Sequence, residues 1–477
     1  MKTTSLLLLC ATALLAPAAT TRDTDGTSAP ALTSAEQIIK ATRDGLCIAV
    51  MPSADTPLPL SNAPWRVMQV LLAGETNAAE LAAAFRAAGT SGSITCRPLA
   101  SDRLPYPNDF ANAVVVGPGG SAGAAKTLVS EAWRVLAPEG VLLLDHPGGS
   151  NVDTLARSAG IAAPVVTMKD GMFAIRKPYP PEMDEWPQLE HDAARTRISH
   201  DKVVGIPTGF QWLHGEEGPY RNAQAMLAAG GRVFYAISES STSFIIEARD
   251  AYNGVLAWSR RFTCRPAQAR GRFMRPPPAK PAGFAADGER VYLTPEAGGA
   301  AVALSAATGS TIMTYATGGT LVLHDGLLVT HDPSSTQWNV IDPATGKQLR
   351  SLGTTNADPG SVMLCAGNNA YFLDNMSAGV TAAPPARTSG TAAPEPAVKN
   401  IVCADFHTGE VKWRAPAFNN GSLYWANRGL VALLRLNEDV TFFSADDGRY
   451  LWDTVSTTKK GNHAAAFYLG DRVWTYG

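Results

Sequence analysis

Apolar and polar residues follow two different patterns along the chain, and the first pattern covers residues 34–180. Short apolar runs, which predict buried strands, are separated there by stretches with apolar residues every three or four positions, which predict helices. The predicted strands are Cys47–Met51, Val67–Leu72, Ser93–Cys96, Ala113–Val116 and Gly140–Asp145. The predicted helices are Asn77–Ala88, with Asn77 as the N-cap, and Ala124–Leu136. This alternation favours a Rossmann-like α/β domain built on a parallel sheet.

From residue 181 onward, pairs of apolar strands repeat with a period of roughly 35–60 residues. The predicted pairs are Gly231–Ser238 with Ser243–Ala248, Arg290–Leu293 with Ala300–Ser305, Leu321–Thr330 with Gln337–Ile341, Ala370–Asp374 with Lys399–Ala404, and Gly429–Leu436 with Val440–Ser444. Regular strand pairs of this kind predict repeated antiparallel sheets. The stretches Arg265–Gly283 and Met376–Val398, rich in Pro with Arg or Ala, are predicted to be surface insertions.

Each copy of the repeat has a glycine in a hairpin turn, where positive φ is expected and Asp or Thr caps the turn. A tryptophan follows four residues later in three copies, whereas Met313 and Arg350 take its place in the second and third. We expect this residue to pack between adjacent sheets. The predicted structural residues of the repeat are Asp250, Gly254, Trp258, Gly309, Asp342, Gly346, Asp405, Gly409, Trp413, Gly448 and Trp452.

The repeated turn resembles the blade motif of the pyrroloquinoline-quinone (PQQ)-type β-propellers. That family includes quinoprotein alcohol dehydrogenases and the non-enzymatic propeller subunit of the outer-membrane protein assembly machine. The resemblance implies a β-propeller over residues 181–477, with a β-sandwich as the alternative. A sixth repeat begins near His463 and stops before its turn. Since propellers of this family usually close with about eight blades, we expect a truncated product, a fragment or an open ring.

Three segments of the first region, Leu104–Tyr106, Val114–Val116 and Glu131–Leu144, together resemble the second half of a class I S-adenosylmethionine-dependent methyltransferase. A working member needs a glycine-rich turn after its first strand, so that backbone N–H groups approach the cofactor. Here Met51, Pro52 and Ser53 stand in that turn, and the nearest acid after the second strand is Glu75. We therefore expect a methyltransferase-like domain that has lost cofactor binding.

The join between the two regions contains Asp184–Asp192, His200–Gly205 and Phe210–Trp212. It resembles exported bacterial proteins, typical of planctomycetes, in which a methyltransferase-like domain precedes PQQ-like repeats. Its polar cluster of His191, Asp192, His200 and Asp201 is the candidate binding site. Imidazole and carboxylate groups together suit zinc or a similar ion. The interpretation we favour is structural, a hydrogen-bonded plug that fastens the linker to the first blade, and ligand contact is the third alternative.

Residues 1–19 are predicted to be a signal peptide, with Lys2, the apolar run Leu6–Leu15 and the small residues Ala16–Ala18. We therefore expect an exported protein, periplasmic or extracellular, and no later apolar run long enough to span a membrane. Five cysteines remain after cleavage, without a Cys-x-x-Cys pair. If any two form a disulfide, Cys365 and Cys403 are the expected pair.

Lys and Arg number 40 against 42 for Asp and Glu, a net charge of -2. This argues against a nucleic-acid partner, which needs a basic surface. Quinoproteins of the resembled family clamp PQQ between a tryptophan and an adjacent-cysteine disulfide beside calcium, and no Cys-Cys dipeptide exists here. We therefore expect no cofactor and no catalytic residue, in a binding or scaffold protein of the cell envelope with a protein or glycan partner. The alternatives are a PQQ-dependent quinoprotein with calcium, a hydrolase, or a residual methyltransferase. The oligomeric state is not indicated.

Overall fold

The computed structural model describes residues 42–51, 65–72, 75–90, 92–117, 122–145, 152–163, 165–167, 172–206, 209–213, 222–267, 276–332, 334–358, 361–376, 398–418, 421–435, 440–453, 465–469 and 472–476. The predicted signal peptide, Pro52, Ser53 and most of the second insertion lie outside these residues. Among the described residues, no helix has the length and hydropathy needed to cross a bilayer.

The first part of the chain forms one seven-stranded sheet of order β3-β2-β1-β4-β5-β7-β6. Its strands are β1 (Leu46–Met51), β2 (Val67–Leu72), β3 (Ile94–Pro98), β4 (Ala111–Val116), β5 (Leu136–Asp145), β6 (Val165–Thr167) and β7 (Met172–Arg176). The helices are α1 (Glu75–Ala87), α2 (Ala122–Val135) and α3 (Val152–Ser158). β1 to β5 pair in parallel, whereas β7 is antiparallel to both β5 and β6.

The continuous apolar runs of β1 and β4 follow from their central position, because every residue of both strands is buried. One face of the sheet packs Ile48 with Val129 and Ala132 of α2. The other face packs Cys47 with Phe85 of α1. Strands covered by helices on both faces lose the alternating pattern and become apolar throughout.

Several element boundaries of the α/β unit differ from the prediction by one to four residues, among them the starts of α1 and β5. Helix α1 begins at Glu75, so Asn77 lies inside its first turn and is not the N-cap. Strand β5 begins at Leu136, four residues before the predicted start, because Ala111 of β4 extends its pairing to Leu136. Element ends depend on such tertiary pairing more than on local sequence preference.

Five four-stranded antiparallel sheets follow, each formed by four consecutive strands. The first contains β8 (Ala223–Ala229), β9 (Arg232–Ser238), β10 (Ser243–Asp250) and β11 (Leu256–Thr263), and the second β12 (Gly283–Ala286), β13 (Arg290–Thr294), β14 (Val302–Ser305) and β15 (Thr311–Thr314). The third contains β16 (Thr320–His324), β17 (Leu327–His331), β18 (Gln337–Ile341) and β19 (Gln348–Gly353), and the fourth β20 (Leu364–Ala366), β21 (Asn369–Asn375), β22 (Lys399–Asp405) and β23 (Val411–Ala417). The fifth contains β24 (Gly421–Asn427), β25 (Leu430–Arg435), β26 (Val440–Ser444) and β27 (Tyr450–Asp453). Serial four-stranded sheets of this kind are the repeating unit of a β-propeller.

The first strands of the sheets lie side by side. β12 contacts both β8 and β16, and β20 contacts β24. The first strand is thus the inner edge of each sheet, and the fourth strand is the outer edge. A sixth, two-stranded sheet contains β28 (Ala465–Leu469) and β29 (Arg472–Tyr476), within the sixth repeat that the sequence indicated.

The predicted strand Leu321–Thr330 is wrong, because two strands, β16 and β17, occupy this stretch. Asp325 and Gly326 separate them with φ values of 50° and 68°. Two consecutive residues with positive φ make the tight hairpin turn that matches the twist of the flanking strands. The prediction overlooked the Asp-Gly pair between two apolar runs, which is itself a signal for such a turn.

The expected disulfide between Cys365 and Cys403 is also wrong, since every described cysteine is a free thiol. Both residues lie in the fourth sheet, as expected, but β21 runs between their strands. Two strand spacings amount to roughly 9–10 Å, beyond the Cα separation of about 4.4–6.8 Å that a disulfide allows. Their side chains also belong to hydrophobic clusters on opposite faces of the sheet.

Candidate functional site

The repeat turns share one geometry in all five sheets. In each, the glycine N–H donates to the carbonyl four residues earlier, at 2.8–2.9 Å. The five glycines, Gly254, Gly309, Gly346, Gly409 and Gly448, have φ between 71° and 79°. Where aspartate begins the turn, as at Asp405, one carboxylate oxygen accepts the next free N–H groups, here those of His407 and Thr408. Short polar side chains stabilise turns in this way.

In the second to fifth sheets, the turn also packs against a side chain from the sheet before it. Trp258 of β11 donates from Nε1 to the Ala306 carbonyl at 2.9 Å, and a Cβ on Gly309 would lie 2.6 Å from its ring. Trp413 of β23 donates likewise to the Ala445 carbonyl at 3.0 Å. Glycine is needed here because the ring lies directly on the turn.

Where the repeat lacks tryptophan, other side chains donate to the equivalent carbonyl. Tyr315, two residues after Met313, donates its hydroxyl to the Pro343 carbonyl at 2.9 Å. Arg350 donates from Nε to the Phe406 carbonyl at 2.8 Å. In every case the acceptor lies three residues before the turn glycine, so the hydrogen bond persists although the residue type changes.

In the described part of the chain, no four-stranded sheet precedes the first one, yet its turn is covered in the same way. Trp212 donates from Nε1 to the Ala251 carbonyl at 3.0 Å, and a Cβ on Gly254 would lie 2.5 Å from its ring. Trp212 thus makes the contact that Trp258 and Trp413 make at later junctions. At the other end, Trp452 of β27 is 37% exposed and stacks on Phe442.

Residues 184–201, called the axial segment from here on, cross the inner strands of all five sheets. Trp186 exchanges two backbone hydrogen bonds with Ala228 of the first sheet, and Pro187 accepts from Ala286 of the second. Gln188 binds both backbone groups of Leu323 in the third sheet, at 2.8 and 3.0 Å. The carbonyls of Ala193 and Ala194 then accept from Cys365 of the fourth sheet and Ala426 of the fifth, the last two of these contacts. The segment therefore lies where the inner strands converge.

Three residues of the axial segment other than glycine have positive φ, a conformation of higher free energy. His191, Arg195 and Arg197 have φ of 80°, 59° and 58°. Residues other than glycine adopt such angles only when their surroundings over-determine them, at about 1–3 kcal/mol each. Glu190 supplies part of that constraint by ion pairs with both arginines.

The candidate residue His191 is 5% exposed and both ring nitrogens have partners. Nε2 lies 2.8 Å from Asp184 Oδ2, and Nδ1 lies 3.2 Å from Thr196 Oγ1 and 3.4 Å from Asp192 Oδ2. Asp192 in turn accepts the N–H and the hydroxyl of Thr196. His191 and Asp192 are thus tied into one hydrogen-bonded cluster with Asp184 and Thr196.

Burial alone would lower the pKa of His191, but hydrogen bonds to Asp192 and Asp184 and their charges raise it above its ordinary value. The pKa values of Asp184 and Asp192 are both lowered. Burial alone would raise both pKa values, but hydrogen bonds from backbone N–H groups and from His191 outweigh the effect of burial. Each partner therefore favours the charged form of the other.

The other two candidates lie beside this cluster but bind differently. Asp201 Oδ1 accepts the N–H groups of Val203 and Val204, and Oδ2 accepts that of Asp184, so both oxygens cap backbone. His200 is exposed, with its ring 5.7 Å from that of His191. Within the described ranges, no group of three or more His, Cys, Asp or Glu side chains has the geometry of a metal site.

A second buried polar cluster joins the α/β unit to the first sheet. The Asp250 carboxylate, whose other oxygen caps the repeat turn, accepts Arg43 Nε at 3.0 Å and Asn112 Nδ2 at 2.7 Å through Oδ2. Arg43 also donates to the Pro138 carbonyl and pairs with Glu139. Asp250 therefore caps the repeat turn with one carboxylate oxygen and binds the α/β unit with the other.

The residues present do not fit PQQ with calcium as the resembled enzymes hold them. That arrangement needs an adjacent-cysteine disulfide, whereas the described cysteines are all free thiols. The axial segment hydrogen-bonds to the inner strands where they converge, and its carboxylates Asp184 and Asp192 accept hydrogen bonds from the protein itself. For S-adenosylmethionine, the turn after β1 and residues 118–121 after β4 lie outside the described residues, and Met51 at the end of β1 is buried.

Sequence reasoning missed the residues that organise the axial segment. Asp184, Gln188 and Trp212 were seen only as part of the join, and Asp184 accepts from His191, Ser199 and the His200 backbone. An Asp-x-x-x-Gly stretch, Asp201–Gly205, does precede Trp212, but the tryptophan lies seven residues after its glycine and not four, so the repeat pattern did not include it. Three tryptophans already known to follow turn glycines were the signal that could have found it.

No protein-family model matches the chain, and no curated protein does. Similar solved structures are PQQ-like β-propeller proteins, at low TM-score. BamB from Moraxella catarrhalis is 15% identical with a TM-score of 0.31, over 54% of this chain and 79% of that one. Quinohemoprotein alcohol dehydrogenase from Comamonas testosteroni is 12% identical with a TM-score of 0.33, over 57% of this chain and 49% of that one. This chain therefore spans about half the length of that enzyme.

A putative sarcosine dimethylglycine methyltransferase from Galdieria sulphuraria is 12% identical with a TM-score of 0.20, over 26% of this chain and 48% of that one. At TM-scores this low, the propeller architecture is assigned from the chain's own sheets and not from these likenesses.

Proposed function

We propose that this protein is a non-catalytic binding or scaffold protein of the bacterial cell envelope. Its PQQ-like β-propeller would hold a protein or glycan partner. The observation that carries the proposal is the axial segment, because it hydrogen-bonds to the inner strands of all five four-stranded sheets where they converge. Propeller enzymes of the resembled family place their site at that opening, so a partner here must bind elsewhere on the surface.

The polar groups of the axial segment support the same conclusion. His191 is buried and held on both nitrogens, and the oxygens of Asp192 and Asp201 accept hydrogen bonds from neighbouring residues. A general base needs a free lone pair that faces the substrate, and a metal ligand needs a free lone pair that faces the ion. We therefore assign these residues a structural role, with the exposed ring of His200 left for contact with a partner.

The α/β unit fits this proposal as a methyltransferase-like shell over residues 34–180, followed by the propeller region over 181–477. Its sheet reverses order between β1 and β4, the place where open α/β sheets bind ligands. Met51, at the end of β1, and Pro52 and Ser53, which follow it in the sequence, are the features that oppose cofactor binding there. Export to the periplasm or cell exterior follows from the predicted signal peptide.

Calorimetry on the full chain tests the proposal against its enzymatic alternatives. We expect no heat of binding with PQQ plus calcium, and none with S-adenosylmethionine, at micromolar protein. Micromolar binding of either ligand would overturn the proposal in favour of a quinoprotein or a methyltransferase. Cosedimentation with purified cell-wall glycan, and crosslinking in the native envelope, then separate a glycan partner from a protein partner.

A further inference from the structure

A small cavity lies where the α/β unit meets the first sheet. Its described lining residues are Arg43, Asp44, Gly45 and Arg66 from the α/β unit, and Arg232, Asp250, Val255 and Ala257 from the first sheet and its repeat turn. The space open to a water-sized particle there is about 10 Å³. One water molecule, or one ion of similar size, needs about this volume. The cavity therefore holds at most one small particle, in contact with both units.

Arg232 differs from the rest of the lining because its charge has no partner. It is 9% exposed and is the first residue of β9, directly opposite Asp250 of β10. In the described part of the chain, no hydrogen bond or ion pair holds its guanidinium group. A guanidinium group has five N–H donors and no acceptor, so it needs oxygen atoms or anions around it. Burial without such a partner is unfavourable, because the charge has left water without compensation.

The two carboxylates of the lining are engaged by the other two arginines. Asp250 accepts Arg43 Nε at 3.0 Å through one oxygen and caps the repeat turn with the other. Asp44 pairs with Arg66 at 2.9 Å. Three arginines and two aspartates leave one formal positive charge in the lining. That charge is the one on Arg232.

The surroundings of the cavity do not supply the missing negative charge. Glu139, the nearest further acid, is shared between Arg43 at 3.3 Å and Arg176 at 3.4 Å. Burial, and next the charge of Arg43, lower the pKa of Arg232 to about 10, although the two aspartates oppose this shift. The guanidinium group therefore stays charged near neutral pH, and its positive charge remains unbalanced.

We propose that this cavity is a binding site for one halide ion, chloride under physiological conditions, held by the Arg232 guanidinium group against the α/β unit. A single negative charge balances the charge that the lining leaves, and a monatomic ion matches the volume. The guanidinium group presents its N–H donors in a fixed, planar arrangement and is weakly hydrated, which suits anion binding in a partly buried place. The bound ion joins the two units, and this role is separate from the partner binding proposed above.

The lining also discriminates between anions. Val255 and Ala257 form an apolar part of the wall. Chloride and bromide are less strongly hydrated than fluoride, so they lose less hydration free energy when they enter such a cavity. Sulfate and phosphate, each with four oxygens around a central atom, exceed the available volume. We therefore expect chloride and bromide to bind, and fluoride, sulfate and phosphate to bind more weakly.

Bromide is the direct probe, used with the full chain. Its nuclear magnetic resonance signal broadens when the ion exchanges with a protein site, and its anomalous X-ray scattering locates it in a crystal. Wild-type protein should broaden the bromide signal, and added chloride should reverse the broadening. In crystals grown with bromide, an anomalous peak should lie in hydrogen-bond contact with the Arg232 guanidinium group.

Urea denaturation measures the effect of the ion on the junction, with fluoride replacing chloride at constant ionic strength. Raising chloride from about ten to about a hundred times its Kd should lower the equilibrium constant for the transition that separates the two units about tenfold, the response of one site. Arg232→Met should not show this response. General salt effects act on both proteins, so the difference between them reports the site.

Two further variants separate the cavity from surface charge. Ala257→Leu fills the cavity but keeps Arg232, and it should weaken both the bromide broadening and the stabilisation by chloride. Arg261→Met removes an ion pair with Glu239 in which the arginine side chain is 66% exposed. This matched control should retain both responses.

Four results would overturn the proposal. They are a bromide signal that wild-type protein leaves unbroadened, an equal chloride response in wild type and Arg232→Met, an anomalous peak found only away from Arg232, and stronger competition by sulfate or phosphate than by chloride, which would assign the cavity to an oxyanion. If Arg232→Met does not fold, the peak position and Ala257→Leu decide, and unchanged binding in Ala257→Leu contradicts a site in the cavity. Each of these results leaves the proposed partner binding untouched, because that proposal depends on the axial segment.

Discussion

In sequence His191 resembles a metal ligand, but in the structure its neighbours engage both ring nitrogens. Asp184, Asp192 and Thr196 occupy both of its ring nitrogens, and the ring is almost fully buried. A histidine with two nearby carboxylates can bind zinc only if the nitrogen lone pair is free. Here the same residue types instead neutralise one another and hold the strained turn of the axial segment.

His191→Gln should destabilise the protein in a pH-dependent way. Because the folded pKa of His191 is raised, its stabilisation is complete below the ordinary value of 6.5 and is lost as pH rises through the raised pKa. The lowered pKa values of Asp184 and Asp192 add stability above their ordinary value of 3.8 and lose it as pH falls through the folded values. The difference in Tm between wild type and variant should therefore be greatest between pH 3.8 and 6.5.

Thermal unfolding followed by circular dichroism across this range measures the effect, which we expect to reach about 1–3 kcal/mol for a buried hydrogen-bonded group left without its partner. His407→Gln, at an exposed ring, is the control and should change little. A Tm difference that stays constant from pH 4 to 8 would show that charge on His191 plays no part.

At the scale of elements, the turn glycines carry the contact between successive sheets. Gly309 and Gly326 have nearly equal φ, 71° and 68°, but only Gly309 lies against a ring, that of Trp258. Nothing lies within 4 Å of a Cβ built on Gly326. Substitution at Gly326 therefore measures the free energy of placing a side chain at positive φ. Substitution at Gly309 adds the free energy of moving the Trp258 ring.

Gly326→Ala should cost about 1–2 kcal/mol, the price of a left-handed conformation with a side chain. Gly309→Ala should cost about 1–3 kcal/mol more, because the ring must move and weaken its hydrogen bond to Ala306. Urea denaturation followed by tryptophan fluorescence compares the two variants. Equal losses would mean that the ring contact contributes nothing to stability.

Elements with strong local signals were predicted closely from sequence. Val67–Leu72, Gln337–Ile341 and Val440–Ser444 have the predicted bounds, since buried apolar runs between turn signals leave little choice. The hairpin at Asp325 and Gly326 was missed although the sequence contains its signal, an Asp-Gly pair between two apolar runs. The start of β5 was missed because its first residues pair with β4, a contact that no local pattern contains.

At the scale of the whole molecule, the α/β unit and the first sheet are joined through one buried charge cluster. Arg43 and Asp250 have side chains that are 8% and 6% exposed, at a distance of 3.0 Å. Asn112, fully buried, bridges the two units by binding Asp250, Asn253 and the Leu46 N–H. Such pairs are costly to break because the remaining charge stays buried.

Arg43→Met should destabilise the junction by about 3–5 kcal/mol, since the buried Asp250 loses the cation paired with it. Calorimetry should then show the α/β unit and the propeller sheets unfolding in separate transitions. Arg66→Met, which removes an ion pair with Asp44 that is about one-third exposed, should cost no more than about 1 kcal/mol. A single unchanged transition for Arg43→Met would show that other contacts hold the two units together.

The sequence by itself determined the local structure: the pattern of apolar residues predicted most strands, and the repeated motif predicted the turn glycines with their tryptophans. These features depend on contacts between residues close in the chain, and the period of the pattern reports them. Only the tertiary structure decided that residues 184–201 cross five sheets, that the Trp212 ring covers the turn of the first sheet, and that Asp250 holds the α/β unit. Each of these joins residues far apart in sequence, such as Gln188 with Leu323 or Arg43 with Asp250. Their meeting depends on how the sheets converge, a property of the assembled fold that no local spacing of residues contains.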